Sequence, residues 1–395
     1  MTQIVLTGAV LHKAAAWAVL ATSTRPSAPV LAGLLLDAPD TSIGGGEASV
    51  TGYDLHTRAT VTIPATVLIP GRLLLSGRLL VAVAKTVARD TDVAITTDPH
   101  LGVLVRCGRA EWHMPALPIQ EYPTLPDLGD PLGTIDPAQL RRALGQVLPA
   151  LDRSSTALPA FTAVKIETEP ADTDEADPVL TLVGTDRYRL AAATIPWQPT
   201  SSEVQVDALV PWGLLDTALR AITTTGGTGG GDPDERVALC CTERGFGLAT
   251  GTHLVTGRQL AEEYPAWRRF LPEPGPHRAV VEVAPLVQAL GQALIAVDDA
   301  PYVLLAVDDG RIEVSATGGQ STARAAVAAE LTGPPITVKV NAGYLRDAVA
   351  LHGCDRVAIA FGATGNKPLL VLGDDPGYRH TVVPVRLDTH ERSAA

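Results

Sequence analysis

Asp186, in Gly184-Thr185-Asp186-Arg187, and Asp54, in Gly52-Tyr53-Asp54-Leu55, are the carboxylates whose setting could support general-base or nucleophilic chemistry. Arg187 and Arg189 flank Asp186, and neighbouring cations favour the charged carboxylate and leave it a weak proton acceptor. A structural carboxylate paired with arginine is the better reading. A nuclease or hydrolase acting through Asp54 and Asp186 stays as the enzymatic alternative, to be revived by turnover that vanishes in Asp186→Ala. The chain has 9 histidines, scattered without His-x-x-x-His or Glu-x-x-His spacing, and no nucleophile elbow. No catalytic residue, no metal and no cofactor is expected.

Glycine runs offer little more. Gly44-Gly45-Gly46 and Gly226 to Gly231 lack dinucleotide-fingerprint spacing, and neither leads into Gly-Lys-Ser/Thr, so both read as hairpin loops. Gly362-Ala363-Thr364-Gly365-Asn366-Lys367-Pro368 superficially resembles a phosphate loop, but Pro368 would break the helix such a loop must open, and a turn between strands is expected. Cys107, Cys240, Cys241 and Cys354 show neither metal nor framework spacing and are read as reduced core residues.

The elements that position these residues recur. Glu121-Tyr122-Pro123 precedes Leu125-Pro126, and Glu263-Tyr264-Pro265 precedes Leu271-Pro272; each marks a module's end. The Gly-x-Asp signals around Asp54 and Asp186 both follow alternating apolar runs that read as strands, with a weaker echo at Ala316-Thr317-Gly318-Gly319. Apolar steps of three and four predict helices over Val10–Leu20, Asp136–Leu151 and Val283–Val297, and a second set over Gly77–Val87, Pro211–Ile222 and Asn341–Leu351. In the clearest, Asp136 is the expected N-cap, Pro137 opens the helix, and Leu140, Leu144, Val147, Leu148 and Leu151 share one face while Arg141 and Arg142 fall off it.

The chain has 395 residues, and the repeat favours three domains, 1–128, 129–272 and 273–395. Hydrophobic content of 46% with 4% aromatic predicts cores of Val, Leu, Ala and Ile in sheets overlaid by helices, an α+β class. No membrane-length apolar run or signal-type N-terminus is present, and a cytoplasmic protein without membrane partners is expected. The formal net charge of -12 argues against a surface that binds nucleic acid all over, but not against a local basic stripe. Acidic runs at Asp172–Asp177 and Asp232–Glu235 read as solvated loop tips, and Arg78, Ala82, Lys85 and Arg89 form a basic face expected opposite Leu79, Leu80, Val83 and Val87. Repeated around a ring, such faces give a positive lining inside a negative shell.

Thr185-Asp186-Arg187-Tyr188-Arg189-Leu190-Ala191, Glu263-Tyr264-Pro265-Ala266-Trp267-Arg268-Arg269-Phe270-Leu271-Pro272 and Val383-Pro384-Val385-Arg386-Leu387 together resemble the bacterial DNA polymerase III β subunit, the replicative sliding clamp; Arg25-Pro26 leading to Pro29-Val30-Leu31 and Asn341 to Tyr344 extend the match end to end. The resemblance implies three repeated clamp domains, each with antiparallel sheets outside and two helices inside, and a head-to-tail homodimer closing a six-domain ring around double-stranded DNA of any sequence. It implies a non-catalytic processivity factor. Its partners are the DNA polymerase III alpha subunit, the clamp loader and other proteins carrying clamp-binding motifs.

Carried over, the peptide pocket comprises Thr185, Arg187, Tyr188, Leu190, Pro272, Asn341, Tyr344, Val382, Val383, Pro384, Val385 and Arg386, with Arg189 as a further polar group. For DNA the resemblance gives Arg25 and Arg78; Lys85 and Arg89 are added from the basic face, Arg141 and Arg142 from their helix. The chain departs from many members of the family at Arg187-Tyr188, where these carry Gly-His although others carry Arg-Phe, at Leu79, where Lys is common, and in Arg153–Pro159, which lacks the paired aromatics of some relatives. A tail, Asp388–Ala395, follows Leu387. The bulkier, more cationic pocket rim raises a second possibility: a specialised paralogue whose altered pocket gives self-resistance to a clamp-directed antibiotic.

Overall fold

The computed structural model describes residues 2–40, 46–98, 102–168, 177–225, 236–296, 301–318 and 321–387. These form two compact units, Met1–Ala138 with Trp197–Val204 and Gly213–Gln259, and Gln139–Pro196 with Gln205–Trp212 and Leu260–Ala395. Gly44, Gly45, Gly226–Gly231, the acidic runs apart from Asp177, Gly319, and the tail 388–395 lie outside the described residues.

One order of elements, a strand, a helix, four strands, a helix and three strands, occurs three times. The first pass runs β1 (Gln3–Thr7), α1 (Gly8–Ala18), β2 (Gly33–Ala38), β3 (Gly46–Tyr53), β4 (Thr57–Ile69), β5 (Gly71–Ser76), α2 (Gly77–Thr86), β6 (Asp92–Asp98), β7 (Gly102–Cys107) and β8 (Ala110–Met114). The second runs β9 (Gly133–Ile135), α3 (Pro137–Val147), β10 (Ala163–Thr168), β11 (Val179–Thr185), β12 (Arg189–Pro199), β13 (Asp207–Pro211), α4 (Trp212–Thr225), β14 (Val237–Cys241), β15 (Gly245–Ala249) and β16 (His253–Arg258). The third runs β17 (Arg278–Glu282), α5 (Val283–Leu294), β18 (Tyr302–Asp308), β19 (Gly310–Gly318), β20 (Ser321–Thr332), β21 (Ile336–Asn341), α6 (Ala342–Ala350), β22 (Arg356–Ala360), β23 (Leu369–Leu372) and β24 (Tyr378–Val382). All pairings are antiparallel and repeat with the order: β1–β4, β9–β12 and β17–β20 correspond, as do β3–β4, β11–β12 and β19–β20.

Alternation of small apolar residues produces these strands, since residues two apart share a face. In β19, Ile312, Val314 and Ala316 are buried, and they meet Val327, Ala325 and Ala323 of β20. The helices lay one stripe on such a face: α5 buries Leu286, Ala289, Leu290 and Ala293, and α6 buries Leu345, Ala348 and Val349 in the same core. Thr7 and Asn341 cap α1 and α6 by accepting backbone N–H bonds, supplying partners for otherwise orphaned donors.

Both Gly-x-Asp signals make the same turn. Asp54 Oδ1 accepts from His56 N and Thr57 N at 2.9 and 2.7 Å, and Asp186 Oδ1 accepts from Tyr188 N and Arg189 N at 2.9 and 3.0 Å. Each holds its successor, Leu55 at φ 78 or Arg187 at φ 79, in the left-handed region where a side chain costs about 1 kcal/mol. The carboxylates thus serve as turn acceptors.

Two expectations need correction. Leu79 is exposed rather than packed with Leu80 and Val83, and α2 ends at Thr86, because Val87 turns to extended backbone. Arg89 therefore lies past the helix instead of continuing its face. Of the cysteines only Cys240 is buried. The segment from Gly362 to Pro368 is the expected turn between strands, β22 and β23.

Behind β24 lies a buried polar cluster in the second unit. The Tyr378 hydroxyl and His380 Nδ1 are 2.8 Å apart, His380 Nε2 has no partner among the described residues, and the His352 and Tyr378 rings pack at 4.5 Å. Burial drives the pKa of His380 down to about 3, helped by Arg189 and His352, and that of His352 down to about 4 against the opposing pull of a Val371 backbone hydrogen bond and of Asp375 and Asp374. Both rings are neutral when folded but take a proton at about pH 6.5 when unfolded, so their contribution is fully present above that pH and is lost as pH falls toward 4 and 3. Unfolding free energy should drop by several kcal/mol (order of magnitude) across that window, and His380→Gln should flatten the acid limb in denaturant titrations. Equal acid sensitivity in wild type and variant would contradict this.

Candidate functional site

In the second unit β24 adds to β12, with Arg189 opposite Val382 and Leu190 opposite Thr381. Past the strand end the ladder gains one more bond, Val383 N donating to Tyr188 O at 2.8 Å. The 260–272 segment returns across this seam. It is anchored by Tyr264, whose hydroxyl donates to Val183 O at 3.2 Å, and by Trp267, whose Nε1 donates to Glu167 Oε1 at 3.2 Å; Arg268 also pairs with Glu167. Burial pushes the Tyr264 hydroxyl pKa up, so it stays a neutral donor.

These elements enclose a cavity of ≈250 Å³. Leu190 and Trp267 are its buried floor, and Phe161, Pro265, Phe270, Pro368 and Val383 are apolar walls. Thr185, Arg187, Arg189 and Thr381 supply the polar groups. Phe270 is 59% exposed, Tyr188 55% and Val383 39%, so large apolar side chains stand open to water around an apolar hollow. Such clustering marks a surface that gains by covering, and a few convergent polar groups over an apolar floor suit a side-chain anchor.

Arg187 shapes the rim: its guanidinium lies 5.6 Å from the Phe161 ring centre and 5.8 Å from that of Tyr188. Arg189 is spent beneath the site. It donates to Asp186 Oδ2 at 3.0 Å, to Asp347 Oδ2 at 2.9 Å and to Pro149 O, and it lies over the Tyr344 ring at 4.3 Å. Removing one member of a buried charge network strands the others, at a cost of about 3–5 kcal/mol. Arg189→Met should lower the denaturant-derived stability by that amount; a loss below about 1 kcal/mol would show that the network does not hold the turn.

Of the residues expected in the site, Thr185, Arg187, Leu190 and Val383 line this cavity. Tyr188 stands outside it, and Arg386 is exposed. Val382 belongs to the third repeat's core and Pro384 is buried, while Val385 N donates to Lys339 O at 2.7 Å. Asn341 caps α6 by accepting from Tyr344 N at 3.2 Å, leaving Tyr344 against Arg189. Pro272 lines a neighbouring cavity of ≈510 Å³ with Pro276, His277, Phe361 and Pro368. Phe161, Pro265, Trp267, Phe270, Pro368 and Thr381 were not anticipated as lining; only Pro265, Trp267 and Phe270 stood inside a motif that could have pointed to them.

The candidate DNA residues are all exposed: Arg25 in the bend after α1, Arg78 and Lys85 on α2, Arg89 beyond it, and Arg141 and Arg142 on α3. Arg142 pairs with Asp375 at 3.0 Å. Charge is sorted by element. The helices carry Lys13, Arg78, Lys85, Arg141, Arg142, Arg220 and Arg346 against only Asp216 and Asp347, in a chain with 31 basic and 43 acidic residues. Among the described residues no group of His, Cys, Asp and Glu could hold a metal ion, and no helix is long and apolar enough to cross a membrane.

A thrice-repeated α+β chain with basic helices and an apolar pocket at a strand seam is a clamp-type protein. A model of the DNA polymerase III beta subunit N-terminal domain matches residues 2–126, and one of the same subunit's C-terminal domain matches residues 268–386. The beta sliding clamp of Streptomyces coelicolor is 33% identical over 392 residues, 96% of this chain and 97% of that protein. A beta sliding clamp homolog, GriR, from Streptomyces muensis is 27% identical over 386 residues, 95% and 97% of the two chains. The crystal structure of the Caulobacter crescentus beta sliding clamp superposes with a TM-score of 0.88 at 21% identity, covering 98% of this chain and 99% of that one. The chain belongs to the DNA polymerase III beta subunit family, and its function is that of a DNA sliding clamp.

Proposed function

We propose that two copies associate head to tail into a ring of six domains, the three in each chain spanning 1–128, 129–272 and 273–395, that encloses double-stranded DNA. The observation that carries this reading is a pairing rule with one term missing. The fourth strand of the first repeat, β4, takes β16, the last strand of the second; β12, the fourth of the second, in turn takes β24, the last strand of the third. Among the described residues β20 and β8 have no such neighbour. Open strand edges invite pairing, and a second copy supplies both complements.

The internal repeats support one register for that pairing. Ala59 opposite Val255 and Ala191 opposite His380 correspond to Ala323 opposite Trp112 of the second copy, which sets Arg324 against Glu111. Both of those side chains are exposed and opposite in sign.

The basic helices support contact with phosphates irrespective of sequence, with Arg25, Arg78, Lys85, Arg89, Arg141 and Arg142 as contributors and affinity that salt weakens. The pocket built on Leu190 and Trp267 supports docking of Leu- or Phe-anchored motifs from the polymerase alpha subunit, the clamp loader and other replication or repair proteins, with Tyr188, Pro272, Asn341, Tyr344, Val382, Pro384, Val385 and Arg386 extending the surface. The protein acts in the cytoplasm without catalysis. Mass measurement tests the assembly: a species of twice 41.2 kDa at micromolar concentration, retained on closed circular DNA after loading but sliding off linear DNA, is expected, and a monomer would contradict it.

A second reading rests on Arg187, held over Phe161 where many family members carry glycine: a paralogue whose narrowed pocket resists a clamp-directed antibiotic. Titration of such an inhibitor against this protein and the host's main clamp separates the two, and equal affinity would remove resistance.

A further inference from the structure

The repeat that builds the pocket of the second unit builds a counterpart in the first. Arg258 N donates to His56 O at 3.1 Å, as Val383 N does to Tyr188 O, and Arg58 stands opposite Thr256 as Leu190 stands opposite Thr381. A cavity of ≈300 Å³ opens at this β4–β16 seam. Its backbone frame is shared but its chemistry is inverted. Arg58 holds the strand position of Leu190 but does not line the cavity, Arg258 takes the place of Val383 on the wall, and Arg244 lines the opening beside Gly245.

Arg58 is committed to this frame, donating from Nη1 to Pro126 O at 3.2 Å and from Nε to Thr60 Oγ1 at 2.9 Å. Arg244 and Arg258 are exposed, and neither forms an ion pair among the described residues. The lining carboxylate, Asp127, accepts from Gly129 N at 3.0 Å, and Glu243 precedes Arg244. Tyr53, Pro126 and Leu128 add apolar surface.

We propose that this seam is a second recognition site, taking an extended peptide segment of a partner protein that places a carboxylate side chain between Arg244 and Arg258. Unpaired guanidinium groups select an anion through charge-assisted bonds, and the apolar wall suits a flanking aliphatic side chain. Asp127 and Glu243 repel a continuous polyanion, which favours a peptide over nucleic acid.

The test uses the full-length protein and a fluorescein-labelled octapeptide carrying one Glu flanked by Val and otherwise Ser, with a Gln-for-Glu version as control. Binding should weaken by about tenfold or more with the Gln peptide, and equally when Arg244→Gln and Arg258→Gln are combined. Val383→Asp, in the other pocket, should leave it unchanged. Both arginines are exposed, so unchanged thermal unfolding of the double variant confirms its fold. Undiminished binding to the double variant, or loss through Val383→Asp alone, would overturn the proposal. Displacement by duplex DNA at lower concentration than by unlabelled peptide would overturn it too, assigning the surface to nucleic acid.

Discussion

Phe270→Asp should abolish capture of a polymerase-derived clamp-binding peptide. The ring is 59% exposed and closes the apolar hollow over Leu190 and Trp267, so replacement introduces a charge without opening the core. Losing a central aromatic anchor costs about 2–4 kcal/mol, roughly thirty- to a thousandfold in Kd. Fluorescence anisotropy reads this directly, with thermal unfolding as control for the fold. Arg386→Ala together with Leu387→Ala should also weaken the peptide, whereas removing 388–395 should leave affinity unchanged or raise it. An unaltered Kd in Phe270→Asp would place peptide recognition elsewhere.

Reversing Arg324 should dismantle the assembly. In the proposed register Arg324→Glu faces Glu111 across the seam, and like charges directly opposite in a sheet destabilise it. Glu111 also holds Arg106 at 2.8 Å within its own chain, which fixes the carboxylate at the edge. A closed ring contains the seam twice, so a penalty of about 1–2 kcal/mol per seam becomes about 2–4 kcal/mol, roughly thirty- to a thousandfold in the dimer dissociation constant. Combining Arg324→Glu with Glu111→Arg should restore association, an outcome that general damage to the fold would not produce. Sedimentation equilibrium over a concentration series measures both. Failure of the double variant to recover would reject this register.

What could be read in the chain beforehand followed from local periodicity. The helix starting at Pro137, the α5 and α6 segments and the strands that precede the Gly-x-Asp signals are set by apolar spacing, which neighbouring residues suffice to specify; that both aspartates turn the chain by bonding the next backbone amides came from the structure. The basic face of α2 was legible at Arg78 and Lys85 but overrun at Arg89, because nothing in the spacing announces that Val87 leaves helical backbone. The pocket was legible in its strand-borne half, Thr185 and Leu190. Its other half was not: Phe161 and Pro368 come from turns remote in sequence, brought together only by the β12–β24 pairing. Arg189 illustrates the limit differently. Read as a rim group offered to a ligand, it is instead buried; its pairing with Asp186 was legible locally, but Asp347 and the Pro149 carbonyl are remote partners that no local pattern could supply.

Disulfide trapping across the β20–β8 seam tests the central claim most directly. With cysteine at Arg324 and Glu111 in one chain, mild oxidation should convert the protein almost wholly into a covalent dimer, both seams closed and nothing larger, while the register-shifted pair Arg324→Cys with His113→Cys should remain uncrosslinked. Persistence of monomer with the first pair, or a ladder of ever longer oligomers, would contradict a two-copy closed ring.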